Sequence, residues 1–207
     1  AVLFYGLVIV SLLALKFVDP IFTAVQIQRQ VEAMGKPGKY QRRYRFIPMG
    51  QMSPQLPHAV VAAEDARFYT HHGFDWTEVE VAIDDDRAGR RTRGASTITQ
   101  QLVKNLYFTT SRSYIRKGLE ITIVPLTELI LGKQRILEIY LNIVEWGPGV
   151  FGAEAAANFH YKTEAKKLNR EQSIQLAAVL PSPLRRKPGR MQEYGAIIAG
   201  RMQQLGW

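Results

Sequence analysis

Hydrophobic and polar positions alternate with a helical period along most of the chain. "PHAVVAAEDARFYTHHG" (57–73) has proline at one end and glycine past the other, which predicts a helix over about 58–71. "FDWTEVEVAIDDDRAGRR" (74–91) starts amphipathic and ends in charge and glycine, so it predicts a short helix followed by a mobile loop. In "GASTITQQLVKN" (94–105) Thr97 and Gln100 form a capping-box pattern, and Ile98, Leu102 and Leu106 make an apolar stripe at i, i+4, i+8. A longer helix is expected over 112–131, with Leu119, Ile123, Leu126 and Ile130 on one face and a kink at Pro125. "KQRILEIYLN" continues the helical pattern before the glycine-rich turn "EWGPGVFG". Further helices are predicted at 152–160, 170–180 and 191–205, the second capped by Asn169 with Gln172. Strand-like alternation is confined to the region of Tyr44 to Ile47. The fold class is therefore mainly α, irregular rather than a regular bundle.

The first segment departs from this amphipathic pattern. "AVLFYGLVIVSLLALKFV" holds no charge before Lys16, as a membrane helix would. Its first fifteen residues would rise only about 22 Å, against the roughly 30 Å of a hydrocarbon core, so the sequence is expected to open inside a longer span. No small-x-small cleavage site precedes Asp19-Pro20, which favours an uncleaved transmembrane helix over a signal peptide. The expected organisation is an anchor at 1–18, a basic juxtamembrane segment at 19–48 and one domain at 49–207.

Composition narrows the partners. With 46% hydrophobic residues in 207, the chain can bury one sizeable core, and the absence of cysteine excludes disulfides and thiolate metal sites. The net charge of +9 is clustered in Arg29, Lys36, Lys39, Arg42, Arg43 and Arg45, in Arg87 to Arg93, and in Arg185, Arg186, Lys187 and Arg190. Beside an anchor, this suggests anionic head groups or a phosphorylated lipid. Nucleic acid is disfavoured, since no zinc finger or aromatic-rich RNA-binding signature is present.

Several positions could carry chemistry. If the first helix ran to 71, Glu64, Phe68 and His71 would share a face, with Asp65 beside it. A lone helical Glu is most often solvated, but Glu64 follows Val60, Val61 and Ala62, and an apolar margin can prepare a carboxylate for acid or base duty. His71-His72 lacks a metal-ligand spacing. Thr97, Gln101 and Lys104 share a face opposite the Ile98 stripe, at a helix start suited to sugar hydroxyls and phosphate. Arg116 and Glu120 are an i, i+4 pair, with Lys117 adjacent. Each signal alone is compatible with ordinary surface.

Together, "EDARFYTHHGFD" (64–75), "GASTITQQLVKN" (94–105), "RKGLE" (116–120) and "KQRILEIYLN" (133–142) resemble, in order and spacing, the motifs of the peptidoglycan glycosyltransferases, glycosyltransferase family 51, and in particular its members without a transpeptidase domain. The resemblance implies a lysozyme-like helical domain that polymerises lipid II at the outer face of the bacterial inner membrane. By the same resemblance, Glu64 is the catalytic base and Glu120 the second essential carboxylate. Asp65, Phe68 and His71 support the base. Gly94, Ser96, Thr97, Gln100, Gln101, Lys104 and Asn105 line the cleft, and Arg116 and Lys117 face the pyrophosphate. No cofactor is implied beyond an optional divalent cation (Mg2+ or Mn2+), for which no all-protein site is evident. The implied partners are lipid II and the growing glycan strand, membrane lipids, and other cell-wall synthesis and division proteins. Ala95 stands where the family has a second glycine, and the run Asp84-Asp85-Asp86 is atypical. The alternatives are a lysozyme-like muramidase or lytic transglycosylase, which has no need of the cations, and a non-enzymatic cell-wall scaffold, which has no need of the two glutamates.

Overall fold

A computed structural model describes residues 2–34, 40–89, 96–111 and 113–207. Nine helices and one small sheet are found among them, in the mainly α class expected. The centre is the pair α5 (Ile98–Tyr107) and α6 (Tyr114–Ile143), which share the most extensive contact in the fold. The α5 stripe meets α6 with Ile98 and Leu102 fully buried, as its spacing requires. A second layer is α3 (Gln55–Glu64) against α8 (Arg170–Ala177) and α9 (Gln192–Gln204). The predicted caps at Thr97 and Asn169 are both full capping boxes. α7 (Ala153–Tyr161) connects these layers, while α4 (Trp76–Arg87) buries no residue at all.

Two helix boundaries differ from the sequence reading. The first helix stops at Glu64, because Asp65 leaves the helical region (φ −162°, ψ 71°). Phe68 and His71 therefore sit on the following turn, not on a helical face with Glu64. The long helix shows no break at Pro125; its backbone leaves helical geometry at Gly132 (φ 71°, ψ 163°). Pro125 lies on the exposed side, where the carbonyl it leaves unpaired can tilt outward, whereas Gly132 takes a conformation that costs a side-chain-bearing residue energy.

The segment 19–48 is more than a linker. Its α2 (Ala24–Met34) packs on α5, and Arg29 pairs with the buried Glu145 at 2.9 Å. Its β1 (Arg43–Tyr44) runs parallel to β3 (Val150–Phe151), which pairs antiparallel with β2 (Glu145–Gly147). The alternation around Tyr44 coincides with β1, whereas β2 and β3 lie in the glycine-rich stretch that reads as a turn and are buried on both faces, so they leave no alternating pattern. The fully buried Asn142 locks this end of the fold by receiving the Ile47 amide at 2.9 Å and donating to the Ile47 carbonyl at 2.9 Å.

α1 (Val2–Leu15) lies along α6 with Val8, Leu12 and Leu15 inward. Tyr5 hydrogen-bonds Thr122 at 2.8 Å, and Tyr107 donates to Ser11 at 3.2 Å. Arg135 caps its end, donating to the carbonyls of Leu15 (2.9 Å) and Val18 (3.1 Å) and to Asp19 (2.8 Å). The opposite face is bare: Leu3, Leu7 and Val10 are 77, 63 and 64% exposed. Among the described residues no helix is long and apolar enough to cross a membrane, α1 having 14 residues.

Gly152 (φ 87°) starts α7, and a Cβ there would stand 2.3 Å from the Asn142 carbonyl oxygen. Gly152→Ala should lose about 2–4 kcal/mol through strain and displacement of the Asn142 lock. Chemical denaturation of the two forms would measure this, and a loss within about 0.5 kcal/mol, the usual range for a neutral surface change, would show that the turn relaxes freely.

Candidate active site

Glu64 is the last residue of α3, and its position is set from both sides. Ahead of it, Asp65 is buried and uses both carboxylate oxygens: Oδ1 meets His71 Nε2 at 2.8 Å, and Oδ2 accepts the Ile98 amide at 2.9 Å. The Gly73 amide donates to His71 Nδ1 at 3.1 Å, which leaves the proton on Nε2 for Asp65. Thr97 Oγ1 donates to the Gly73 carbonyl at 2.7 Å, closing the turn onto the start of α5. Gly73 fits only as glycine, since φ is +93° and a Cβ would stand 2.4 Å from Val124 Cγ1.

Across from Glu64, one turn into α5, Gln101 Nε2 donates to Glu64 Oε2 at 2.7 Å and more distantly to the Ser96 carbonyl at 3.4 Å. The Tyr140 hydroxyl donates to Gln101 Oε1 at 2.9 Å and so fixes which end of the amide faces the carboxylate. Glu64 is surrounded by protein yet keeps an accessible edge. Burial pushes its carboxyl above the usual range, against the opposing pull of Gln101, Lys104 and Arg186, while Asp65 adds to the rise. Burial, with Glu64 and Asp65 nearby, also holds the Tyr140 phenol well above its ordinary value, so it remains a donor.

The cations form the other half of the site. Lys104 is half-buried on α5, and among the described residues its ammonium makes no hydrogen bond or ion pair. Burial and then Arg116 lower its pKa, with Glu64 opposing. At the start of α6, Arg116 Nη1 contacts Glu120 Oε1, and Lys117 Nζ lies 3.3 Å from Glu120 Oε2. Glu120 is 2% exposed, so this carboxylate reaches the cleft only through its two cations. Lys117 is likewise lowered, by burial first and then by Arg116 and Lys104. Two lysines whose charged forms are disfavoured by burial and by the neighbouring Arg116 make a site that gains by receiving an anion.

The structure thus divides the residues named from sequence. Glu64, Gln101, Ser96 and Lys104 come together, with Arg116 and Lys117 continuing the positive side. Thr97, Gln100 and Asn105 are buried and serve α5 itself: the first two make its capping box, and Asn105 donates to the Gln101 carbonyl at 2.8 Å. Phe68 is fully buried, with Lys133 Nζ 4.4 Å from its ring centre, so it supports the turn from the core and does not line the cleft. His71 is 7% exposed and acts through Asp65. Gly94 lies outside the described residues. Tyr140 and Arg186 belong to the site although the pattern gave them to the core and the surface. Tyr140 carried a hint, a hydroxyl on an otherwise apolar face, and Arg186 carried only its place in the basic cluster at 185–190.

Asp65, His71 and Asp75 are the one group of metal-binding residue types that lies close together among the described residues. Asp65 is spent on His71 and Ile98, and Asp75 accepts the Glu78 amide at 3.2 Å as the α4 cap. Asp65 and His71 are committed to each other and to the turn, Asp75 to the α4 cap and Glu120 to its cations. A separate cavity of about 450 Å3 lies among Pro57, His58, Tyr69, Gln134, Arg135 and Glu138, and none of the candidate site residues lines it.

A family model described as Transglycosylase matches residues 29–203, which runs from within α2 to within α9 and takes in the whole of this site. The chain belongs to the transglycosylase family. It is 45% identical over 204 residues to the biosynthetic peptidoglycan transglycosylase of Pseudomonas entomophila, covering 96% of this chain and 86% of that one. To the proteins of the same name from Caulobacter vibrioides and Xanthomonas campestris it is 41% and 43% identical, over 96% and 99% of this chain and 82% and 85% of theirs. The match starts within α2, which agrees with the packing of 19–48 into the transglycosylase fold and places the family boundary well before residue 49.

Because the folded pKa of Glu64 is raised, its ionised form costs stability at neutral pH, and the cost disappears below the unfolded carboxylate pKa of about 4.3. Glu64→Gln should therefore melt higher than wild type near pH 7, and the difference should shrink on acidification. Melting curves across that range provide the check. A variant that is less stable at neutral pH would mean that the charge is favourable where it stands.

Proposed function

We propose that this transglycosylase polymerises lipid II into β-1,4-linked glycan strands, inverting the donor anomeric carbon and releasing polyprenyl pyrophosphate. The supporting observation is the pairing, in one cleft, of a single base-ready carboxylate, Glu64, with the cations Lys104, Arg116 and Lys117. Glu64 accepts the proton of the acceptor 4-hydroxyl as that oxygen attacks the anomeric carbon, and the C–O bond to the pyrophosphate breaks in the same step. No covalent intermediate forms. Burial keeps the carboxylate basic, and Gln101 holds its other face, so one oxygen is directed to the acceptor. Negative charge growing on the leaving pyrophosphate is met by Lys104, Arg116 and Lys117. Glu120 prearranges the last two and moderates their mutual repulsion before substrate arrives. A glycan hydrolase expels a neutral sugar hydroxyl and gains nothing from these cations.

The reading includes membrane attachment at the outer face of the bacterial inner membrane, with the bare face of α1 and the adjoining Phe17 and Ile21, 81 and 70% exposed, in lipid. Its partners are lipid II, the growing strand, membrane lipids and other cell-wall synthesis and division proteins. The decisive experiment incubates the protein with fluorescent lipid II, separates polymer from precursor and digests the product with muramidase. Formation of muramidase-sensitive polymer with release of polyprenyl pyrophosphate is expected. Absence of both, with cleavage of finished peptidoglycan, would give the lysozyme-like reading.

Lys104→Met should lower lipid II turnover roughly 30- to 1000-fold, the loss of about 2–4 kcal/mol from one charge-assisted contact to the leaving group. Removing this charge also removes a pull on Glu64 toward its ionised form, so the acid limb of the rate profile should move to higher pH. Initial rates over a pH series test both effects, and an unchanged rate would take Lys104 out of the mechanism.

A further inference from the structure

The residue that carries the base sits in an awkward place. A helix ends with carbonyls that lack intrahelical partners and with the negative end of its dipole, and both disfavour a carboxylate on the last residue. α3 ends this way at Glu64. The Val61 carbonyl is taken by the Asp65 amide at 2.9 Å. The next two are taken from α9, which lies beyond all four sequence motifs. Arg201 Nη1 donates to the carbonyls of Ala62 (3.1 Å) and Ala63 (3.4 Å), and the Tyr194 hydroxyl donates to that of Ala63 at 3.3 Å. Behind them Arg186 donates to the Ala178 carbonyl at 2.9 Å and lies 5.2 Å from the Tyr194 ring centre.

We infer that Arg201, together with Tyr194, is a positioning residue for Glu64: it clamps the α3 carbonyls next to the base and offsets the negative helix end. The inference rests on the proposed role of Glu64 as base. Two contacts from one guanidinium to successive carbonyls fix the direction in which α3 ends, and with it the vector along which the Glu64 side chain leaves the backbone. Asp65 fixes the chain on the other side of Glu64, so the base is held between α9 and α5. Among the described residues, the charged and titratable groups around Glu64 are Lys104 from α5, Tyr140 from α6, its neighbour Asp65, and Arg186, Tyr194 and Arg201 from the C-terminal part of the chain. Arg201 adds a positive charge on the side where the helix dipole is unfavourable, and Lys104 does so on the substrate side.

The test measures kcat, KM for fluorescent lipid II and the pH dependence of kcat for the full chain and for Arg201→Met, Arg201→Lys, Tyr194→Phe and Glu64→Gln. Displacing a base by a fraction of an ångström to one ångström costs up to about 100-fold, so Arg201→Met should lower kcat by about 10- to 100-fold with KM within about twofold. Its acid limb should move to higher pH, and Arg201→Lys, which keeps the charge and one donor, should restore most of the rate and the limb. Tyr194→Phe removes one hydrogen bond from the same carbonyl without removing a charge, so it should lower kcat a few-fold and leave the limb in place. This second variant keeps the test valid even if Arg201→Met folds poorly. An unchanged kcat in Arg201→Met, or a loss shared between kcat and KM with the limb unmoved and no rescue by lysine, would reduce Arg201 to ordinary packing and overturn the inference. Full activity of Glu64→Gln would overturn the base assignment and this inference with it; an inactive Glu64→Gln beside fully active Arg201 and Tyr194 variants would overturn the clamp alone.

Discussion

The Asp65 carboxylate is the constraint on which the site depends. It is buried, and a buried charge persists only when its oxygens are satisfied. His71 and the Ile98 amide satisfy them, and each bond has a structural result. The contact to Ile98 places an anion at the N-terminus of α5, where the free amides and the dipole favour it, and so docks α5 against the end of α3. The contact to His71 folds residues 66–73 back, bringing Gly73 under Thr97 and against Val124. Glu64 is one residue before this carboxylate and Gln101 is one turn after Ile98, so their 2.7 Å contact follows from the lock. Breaking either bond would leave an uncompensated charge and free two helices together.

This coupling assigns different tasks to neighbouring carboxylates. Asp65 is fully engaged and structural. Glu120 is as deeply buried, but the cations that satisfy it themselves reach the cleft, so its own need for partners sets the positions of those charges. Glu64 alone keeps an accessible edge and a single neutral donor, which leaves it able to gain a proton. Environment separates the three roles, since the side chains are nearly the same chemically.

The ordered motifs made most of the site legible, and the reason is local: Glu64, Gln101, Lys104, Arg116 and Glu120 each act where the helix containing them begins or ends, and caps are written in short sequence. What sequence missed was long-range. Helical periodicity could not show that Asp65 leaves the helix, because the Ile98 amide that its carboxylate meets lies 33 residues downstream, and Arg201, which takes the Ala62 carbonyl just before it, lies 139 residues beyond that alanine. Phe68 and His71 were placed beside Glu64 by an angle along a helix that does not exist there, yet His71 still reaches Asp65 through the turn. Pro125 misled for a related reason, since its cost depends on which side of α6 faces outward, and the sequence carries Gly132 with no sign that its φ is positive.

The docking of α1 changes what an anchor can do for such a site. A free tether would only raise the local concentration of the domain near lipid. Here Tyr5, Ser11 and Arg135 fasten α1 along α6, the helix whose first turns carry Arg116 and Glu120. Two of the cations proposed to meet the pyrophosphate, Arg116 and Lys117, are therefore built on the helix that holds α1, and the third, Lys104, on the α5 packed against it. In the proposed membrane setting, a lipid-linked donor presents its pyrophosphate at a fixed depth, set by where its chain leaves the hydrocarbon. Fixing α1 to α6 makes the height of Lys104, Arg116 and Lys117 above the bilayer a property of the fold, and the Arg135 cap, which ties the last carbonyls of α1 to Asp19 and the second half of α6, keeps that height from varying with the flexibility of a linker.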